Sequence, residues 1–208
     1  MNKLIFTAAA AAMMLAACTT PAKQLAQGNA FYEAGNYAAA APLFRAAAME
    51  GDTDAQLMLA KCYDFGKGVP QDMTQAVRWY ALAAEGGNSN AQDNLGTCYA
   101  MGAGVPKDLN TAYQWYNRAA GAGNASALNN LGLCYRNGEG VMPDEAKALD
   151  CFRRSAVLGN ADGQYNLGRC YFHGLGTPQD AEQARLWVQR AAAQGHKNAQ
   201  LFAQDNNW

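Results

Sequence analysis

The sequence predicts an all-α fold, a solenoid of stacked helical hairpins, and three observations carry that expectation. A cysteine returns every 36 residues, at Cys62, Cys98, Cys134 and Cys170, each followed by a tyrosine, Tyr63, Tyr99, Tyr135 and Tyr171. Other columns keep the same step: positions 66, 102, 138 and 174 are glycine, as are 68, 104, 140 and 176, while 72, 108, 144 and 180 are aspartate. Within one period the apolar residues fall at three- and four-residue steps, the stripe of an amphipathic helix. A fixed period of this size marks one small supersecondary unit, copied because a single copy cannot bury its own apolar face. Arrays of this kind build extended binding surfaces rather than enclosed reaction chambers.

Residues 1–17 read as an export signal. Lys3 supplies a positive start, Leu4 to Met14 is an apolar, alanine-rich run, and Leu15-Ala16-Ala17-Cys18 closes it; the run is too short for a membrane span. Small residues ahead of a cysteine resemble the lipobox of bacterial lipoproteins, which implies removal of 1–17 and a lipid on Cys18. Each buried methylene contributes about 0.8 kcal/mol, so several acyl chains on one cysteine hold a soluble body at a bilayer stably. Thr19 rather than aspartate follows Cys18, and by the same resemblance the destination is the outer membrane, on its periplasmic side. Residues 18–20 are the lipidated cysteine and a short tether, which starts the folded body on the order of 10 Å from the anchor.

Removal of the signal takes one of the chain's 16 basic side chains and none of its 17 acidic ones, leaving a nearly neutral body. Without a basic patch for phosphates, and in that compartment, a nucleic-acid partner is excluded. By length the remainder could form one or two globular domains, but the unbroken repeat argues for one elongated domain.

Residues 91–126 serve as the type unit. Ala91, Leu95, Cys98 and Tyr99 form the stripe of a first helix. Gly102 and Gly104 supply positive φ and Pro106 cannot continue a helix, so Met101 to Lys107 is a turn. Asp108 takes the N-cap place of a second helix through Ala112, Trp115, Tyr116, Ala119 and Ala120, which Gly121 and Gly123 end. Ala60, Gly96, Gly132 and Gly168 are notches where two helices approach closely, with Trp79, Trp115 and Trp187 as the expected knobs and Cys151 in their column.

The pattern Leu-Gly-x-x-Tyr, then Gly-x-Gly-Val-Pro-x-Asp, then Ala-x-x-Trp-Tyr-x-x-Ala-Ala resembles the Sel-one-like repeat, a longer-turned relative of the tetratricopeptide repeat. Four units match it, 55–90, 91–126, 127–162 and 163–198. Residues 21–54 resemble an ordinary tetratricopeptide unit, with Gly28, Ala30, Phe31, Gly35-Asn36-Tyr37, Ala40, Phe44 and Ala47 at that motif's places. The resemblance implies a right-handed α-solenoid. Pro143 lies one residue before Asp144 where the other copies place proline two before, so the third turn is expected to differ locally. Residues 199–208 begin another first helix and then turn polar, as a capping helix over the last apolar face requires; Trp208 is expected to pack at that edge.

No two cysteines are spaced as C-x-x-C, and Cys62, Cys98, Cys134 and Cys170 fall where tetratricopeptide units keep a small buried residue, so they are read as free, buried thiols. Secreted cysteine-rich relatives clip each hairpin with a disulfide but need two cysteines per unit. Only the third unit has two, and a Cys134–Cys151 bridge stays open there, since an exported location permits it. His173 and His196 are the only histidines, and neither has a nucleophile arrangement in sequence reach. His196 sits in the column of Asp52, Asn88, Asn124 and Asn160, a turn position. Asp72, Asp108, Asp144 and Asp180 recur once per unit as caps, whereas a catalytic site would occur once. No catalytic residue, metal ligand or cofactor is assigned.

In tetratricopeptide superhelices the first helices line a concave groove, and that resemblance makes their solvent-facing columns the partner-binding surface. In the first copy these are Asp54, Leu57, Lys61, Asp64 and Phe65, and in the second Asp93, Thr97 and Met101. Asn129, Leu133, Arg136 and Asn137 follow in the third, and Tyr165, Arg169, Phe172 and His173 in the fourth. They vary between copies while the packing columns do not. Aromatic and arginine side chains dominate interface energies, so the partner is expected to be another protein or peptide, and the role that of a membrane-anchored adaptor. Relatives of this form also include immunity proteins that block toxic effectors, and a weak β-lactam-handling activity is the enzymatic alternative. No serine-x-x-lysine motif supports the latter.

Overall fold

The structure is a computed structural model that describes residues 20–208; the export signal and Cys18 lie outside the described residues. Eleven helices and no strand are found among them. They are α1 (Pro21–Glu33), α2 (Tyr37–Met49), α3 (Thr53–Phe65), α4 (Met73–Glu85), α5 (Ser89–Met101), α6 (Leu109–Gly121), α7 (Ala125–Asn137), α8 (Glu145–Val157), α9 (Ala161–His173), α10 (Ala181–Ala193) and α11 (Lys197–Asp205). None is long and apolar enough to cross a membrane. Two compact units result, one ending at Lys107 and the other spanning Asp108–Trp208.

Every helix after α1 starts on a side-chain cap, whereas α1 opens at Thr20 with proline at its first position and no side-chain cap bond. Asp72, Asp108, Asp144 and Asp180 accept from backbone N–H groups of the next turn at 2.9–3.1 Å, as the aspartate column predicts. The column read from sequence as a turn position turns out to be a second set of caps. Asp52, Asn88, Asn124, Asn160 and His196 accept from the N–H three residues on, at 2.7–3.0 Å, and open α3, α5, α7, α9 and α11. Asparagine and aspartate satisfy the free amides of a first turn equally well.

The cysteine column ends the first helices as well as filling the core. In each copy the cysteine carbonyl accepts from two successive amides, Gly102 and Ala103 at Cys98 or Gly138 and Glu139 at Cys134, with the glycine left-handed at φ 74° or 73°. The second glycine of each turn is required by a close approach. At φ +72° Gly140 lies against the Leu109 carbonyl, and Gly68 lies against Tyr37 and Gly176 against Glu145 in the same way, so each long turn presses on the start of the preceding second helix. The third turn does not differ as Pro143 led us to expect. Asp144 N–H still donates to Tyr135 at 2.8 Å, because the segment between Gly140 and Asp144 makes no helical bond that a shifted proline could remove.

Within the unit ending at Lys107, α1 packs on α2, α3 on α4, and neighbouring hairpins join through α2 with α3 and α4 with α5. Ala40, Phe44, Ala47, Ala55, Leu59 and Cys62 form its core, with the Phe44 ring seated where Gly28 has no side chain. In the second unit α7 packs on α8, α9 on α10, and α9 also meets α7. There Phe152 fills the notch at Gly132 and Val188 the notch at Gly168.

This corrects the sequence reading of the knobs. Tyr80, Tyr116, Phe152 and Val188 are buried, whereas Trp79, Trp115 and Trp187, one residue earlier, are only half-buried. The notch-filling side chain stands four residues after Ala76, Ala112, Ala148 or Ala184, directly above it on the same helix face. All five described cysteines are free and buried, so the Cys134–Cys151 bridge left open is not formed. Burial pushes their thiols up, to about 12 at Cys134 and about 11 at the other four.

Candidate partner-binding surface

The columns assigned to a partner divide into those that hold hairpins together and those that remain free. Leu57 and Asn129 are buried, and their assignment to a solvent-facing column is corrected. Asp54 is exposed but committed, since the Nδ2 of Asn88 donates to it at 2.7 Å while the same Asn88 caps α5. The device recurs: Asn160 caps α9 and donates to Ser126, and His196 caps α11 and reaches Asp162 at 3.0 Å. With Nδ1 of His196 accepting from Ala199, Nε2 carries the proton and donates to Asp162, so His196 is a cap, as expected of a helix-end residue.

Half-buried Asp64 accepts from the Tyr80 hydroxyl at 2.9 Å. Burial first, and then the Asp64 charge, push the Tyr80 hydroxyl far above its ordinary value. Asp93 and Thr97 are half-buried and joined through the Thr97 hydroxyl and the Asp93 carbonyl. Half-buried Leu133 packs against the Phe152 cluster. Tyr165 and Phe172, expected as exposed anchors, are half-covered: α11 brings Phe202 to 6.1 and 5.1 Å from their rings, and Trp208 lies 5.7 Å from Phe172. Trp208 is therefore the edge-packing side chain the sequence predicts.

What remains open differs between the units. In the first, Phe65 is 62% and Met101 73% exposed, with Lys61 half-buried. In the second, Arg136, Asn137, Arg169 and His173 remain, on the neighbouring first helices α7 and α9. Two buried amides organise this second face. Asn166 donates to Asn129 at 2.8 Å, which turns the Asn166 Oδ1 toward Arg136, whose Nη1 donates to it at 3.3 Å. The Arg136 Nε donates to Asn137, and Asn137 in turn donates to Glu139. Arg169 follows Asn166 by three residues and so lies on the same helix face, its guanidinium over the Tyr165 ring. Burial, and then the charge of Arg169, hold the Arg136 guanidinium below its ordinary value. Asn166 was not assigned from sequence, although asparagine recurs at 94, 130 and 166, with Met58 at that place in the first copy, a column that signalled it.

Among the described residues no group of three or more His, Cys, Asp or Glu side chains could hold a metal ion.

Four consecutive segments, 53–88, 89–124, 125–160 and 161–196, match the Sel1 repeat. A Sel1 repeat protein from Oxalobacter formigenes is similar over 93% of this chain and 76% of its own, at 32% identity and a TM-score of 0.81. The protective antigen c5321 of uropathogenic Escherichia coli, which has an SLR fold, is 34% identical over 86% of this chain with a TM-score of 0.78, but this chain spans only 39% of it. Immunity protein Pa5087 of Pseudomonas aeruginosa shares the fold, at 21% identity over 88% of this chain and 73% of its own, with a TM-score of 0.57. No curated protein matches the chain.

Proposed function

The chain belongs to the Sel1 repeat family, and from that premise we propose that it is a lipid-anchored scaffold on the periplasmic side of the outer membrane, binding another protein through the free columns of its first helices. The Sel1 repeat fold is commonly a protein–protein interaction scaffold, and the binding half of the proposal rests on one observation. Phe65 and Met101 are 62% and 73% exposed in columns that change from copy to copy; neither belongs to a cap or to the buried core, and Phe65 keeps this exposure with Lys67 of the turn 5.8 Å from its ring centre. Large apolar side chains held out on a rigid helix are the anchors from which a protein interface gains most.

Capture from an envelope extract tests this reading, comparing the wild type with a Phe65→Ala, Met101→Ala variant. Loss of a bound protein in the variant is the expected result, and an unchanged bound set counts against these faces. A secreted toxin as the captured protein would make the binding one of neutralisation.

The anchoring half rests on the lipobox-like Leu15-Ala16-Ala17-Cys18. Replacing Cys18 with serine should abolish incorporation of labelled fatty acid and release the protein from the membrane fraction. Undiminished labelling would remove the anchor from the proposal.

A further inference from the structure

We propose that Arg136 and Arg169 form a carboxylate-binding site on the α7–α9 face, which takes an acidic side chain of the protein partner; this rests on the scaffold reading above. The arrangement is that of a site built to present charge. Arg136 is drawn partly out of water, its Nε and Nη1 engaged by Asn137 and Asn166, and Asn166 is itself fixed by buried Asn129. These bonds hold the guanidinium plane while leaving its other N–H groups unused by the protein. Arg169 shares the face, its guanidinium lying 5.8 Å from the Tyr165 ring centre with no hydrogen bond to any described residue.

Among the described residues this pair has no counter-ion within ion-pair distance. The ion pairs among the described residues join Lys147 with Asp144 and Arg154 with Asp150, the His196–Asp162 contact being a hydrogen bond, and none of these reaches Arg136 or Arg169. Glu139, the acid whose field Arg136 feels, is engaged by Asn137 outside ion-pair distance. Two like charges on one face of neighbouring helices destabilise each other, so neutralisation by a ligand carboxylate relieves that repulsion as well as forming charge-assisted bonds. Guanidinium forks suit a carboxylate, which they can bind bidentately. A hydrophobic ligand would leave both charges unpaired.

Fluorescence anisotropy with a labelled short peptide carrying Glu-Asp-Glu in a glycine-serine background tests the site. The full chain in detergent should bind it and should not bind the matching Gln-Asn-Gln peptide. Arg136→Gln and Arg169→Gln should each weaken binding about tenfold, and Arg169→Lys should recover only part of the loss, because an ammonium lacks the fork. The exposed pair Arg153 and Arg154 on α8 serves as a control, and glutamine at both should leave binding unchanged. If Arg136→Gln unfolds the chain, Arg169→Gln carries the test, since Arg169 holds no part of the amide network. Absence of binding, equal binding of both peptides, or binding unaffected by the Arg169 change would overturn the site. Protein capture by a chain that fails to bind the acidic peptide would leave the scaffold reading standing without this site. Peptide binding with no protein captured would retain the site and remove the scaffold.

Discussion

Asn88 does two jobs with one carboxamide: its oxygen caps α5 and its nitrogen ties the cap to Asp54, in the hairpin before. The two jobs can be separated chemically. Asn88→Asp keeps the cap, because aspartate is as good there, but removes the donor and sets a carboxylate against Asp54. The variant should lose about 1 kcal/mol, read as a lower urea midpoint. Asp54→Asn in the same chain supplies a donor from the other side and should recover most of that loss, so additive effects would mean the pair is not coupled. The thiols give a second test at this scale. In the folded chain burial raises them from 9.0 to about 11, and to about 12 at Cys134. Below pH about 9 both folded and unfolded thiols keep their protons and pH has no effect through them. Above it the unfolded thiols ionise while the folded ones do not, so the unfolded state is favoured as pH rises. The thermal midpoint should therefore fall across the window from about pH 9 to 11, and Cys98→Ala should shallow the slope. Without denaturant, at pH 8, a thiol reagent should label the five buried cysteines only as fast as the chain opens.

Two glycines of the second unit, both at positive φ, isolate what the long turn contributes to hairpin stacking. Gly123 at φ +82° has nothing near where a side chain would stand, whereas a side chain on Gly140 at φ +72° would run into the Leu109 carbonyl. Gly123→Ala should cost only the left-handed strain, about 1–2 kcal/mol. Gly140→Ala adds an overlap with rigid backbone, for a further 1–3 kcal/mol or so, visible as a larger drop in the urea midpoint; equal drops would mean the turn does not bear on α6. The same element level decides how far the sequence could be read. The constant columns revealed helices, long turns and aspartate caps, because each is dictated by local chemistry repeated four times. The column of Leu57, Asp93, Asn129 and Tyr165 misled, because variation there does not mean freedom. Asn129 differs from its counterparts because it bonds Asn166 of the next hairpin, and Tyr165 because α11 arrives with His196 and Phe202 at 4.7 and 6.1 Å. A period shows which positions are equivalent, not which neighbour each one faces. The knobs were misplaced by one residue for a related reason, as tryptophan is the larger side chain but the residue after it points into the notch.

Stability in an array of hairpins is close to a sum of terms within each hairpin and between neighbours, so damage should spread by adjacency and fade with distance along the stack. The C-terminal unit offers a clean place to see this. Its last core, Val188, Ala191, Ala199 and Ala203, is closed by Phe202 and Trp208, and the same two rings cover Phe172 of α9. Phe202→Ala removes the ring common to α9, α10 and α11, an effect of about 3 kcal/mol for a fully buried phenylalanine and somewhat less at this half-buried position. Amide hydrogen exchange followed by mass spectrometry should show α11 opening first and α9 and α10 losing protection next, with α6, whose partner in the unit is α7, little changed. Uniform loss of protection from α6 to α11 would mean that the unit opens as one block, and the nearest-neighbour account of this chain would then fail. The result also bears on binding, because Arg169 lies on α9 between Tyr165 and Phe172, both braced by α11. If opening follows adjacency, Phe202→Ala should weaken the acidic peptide without touching either arginine, and the loss should track the lost protection of α9.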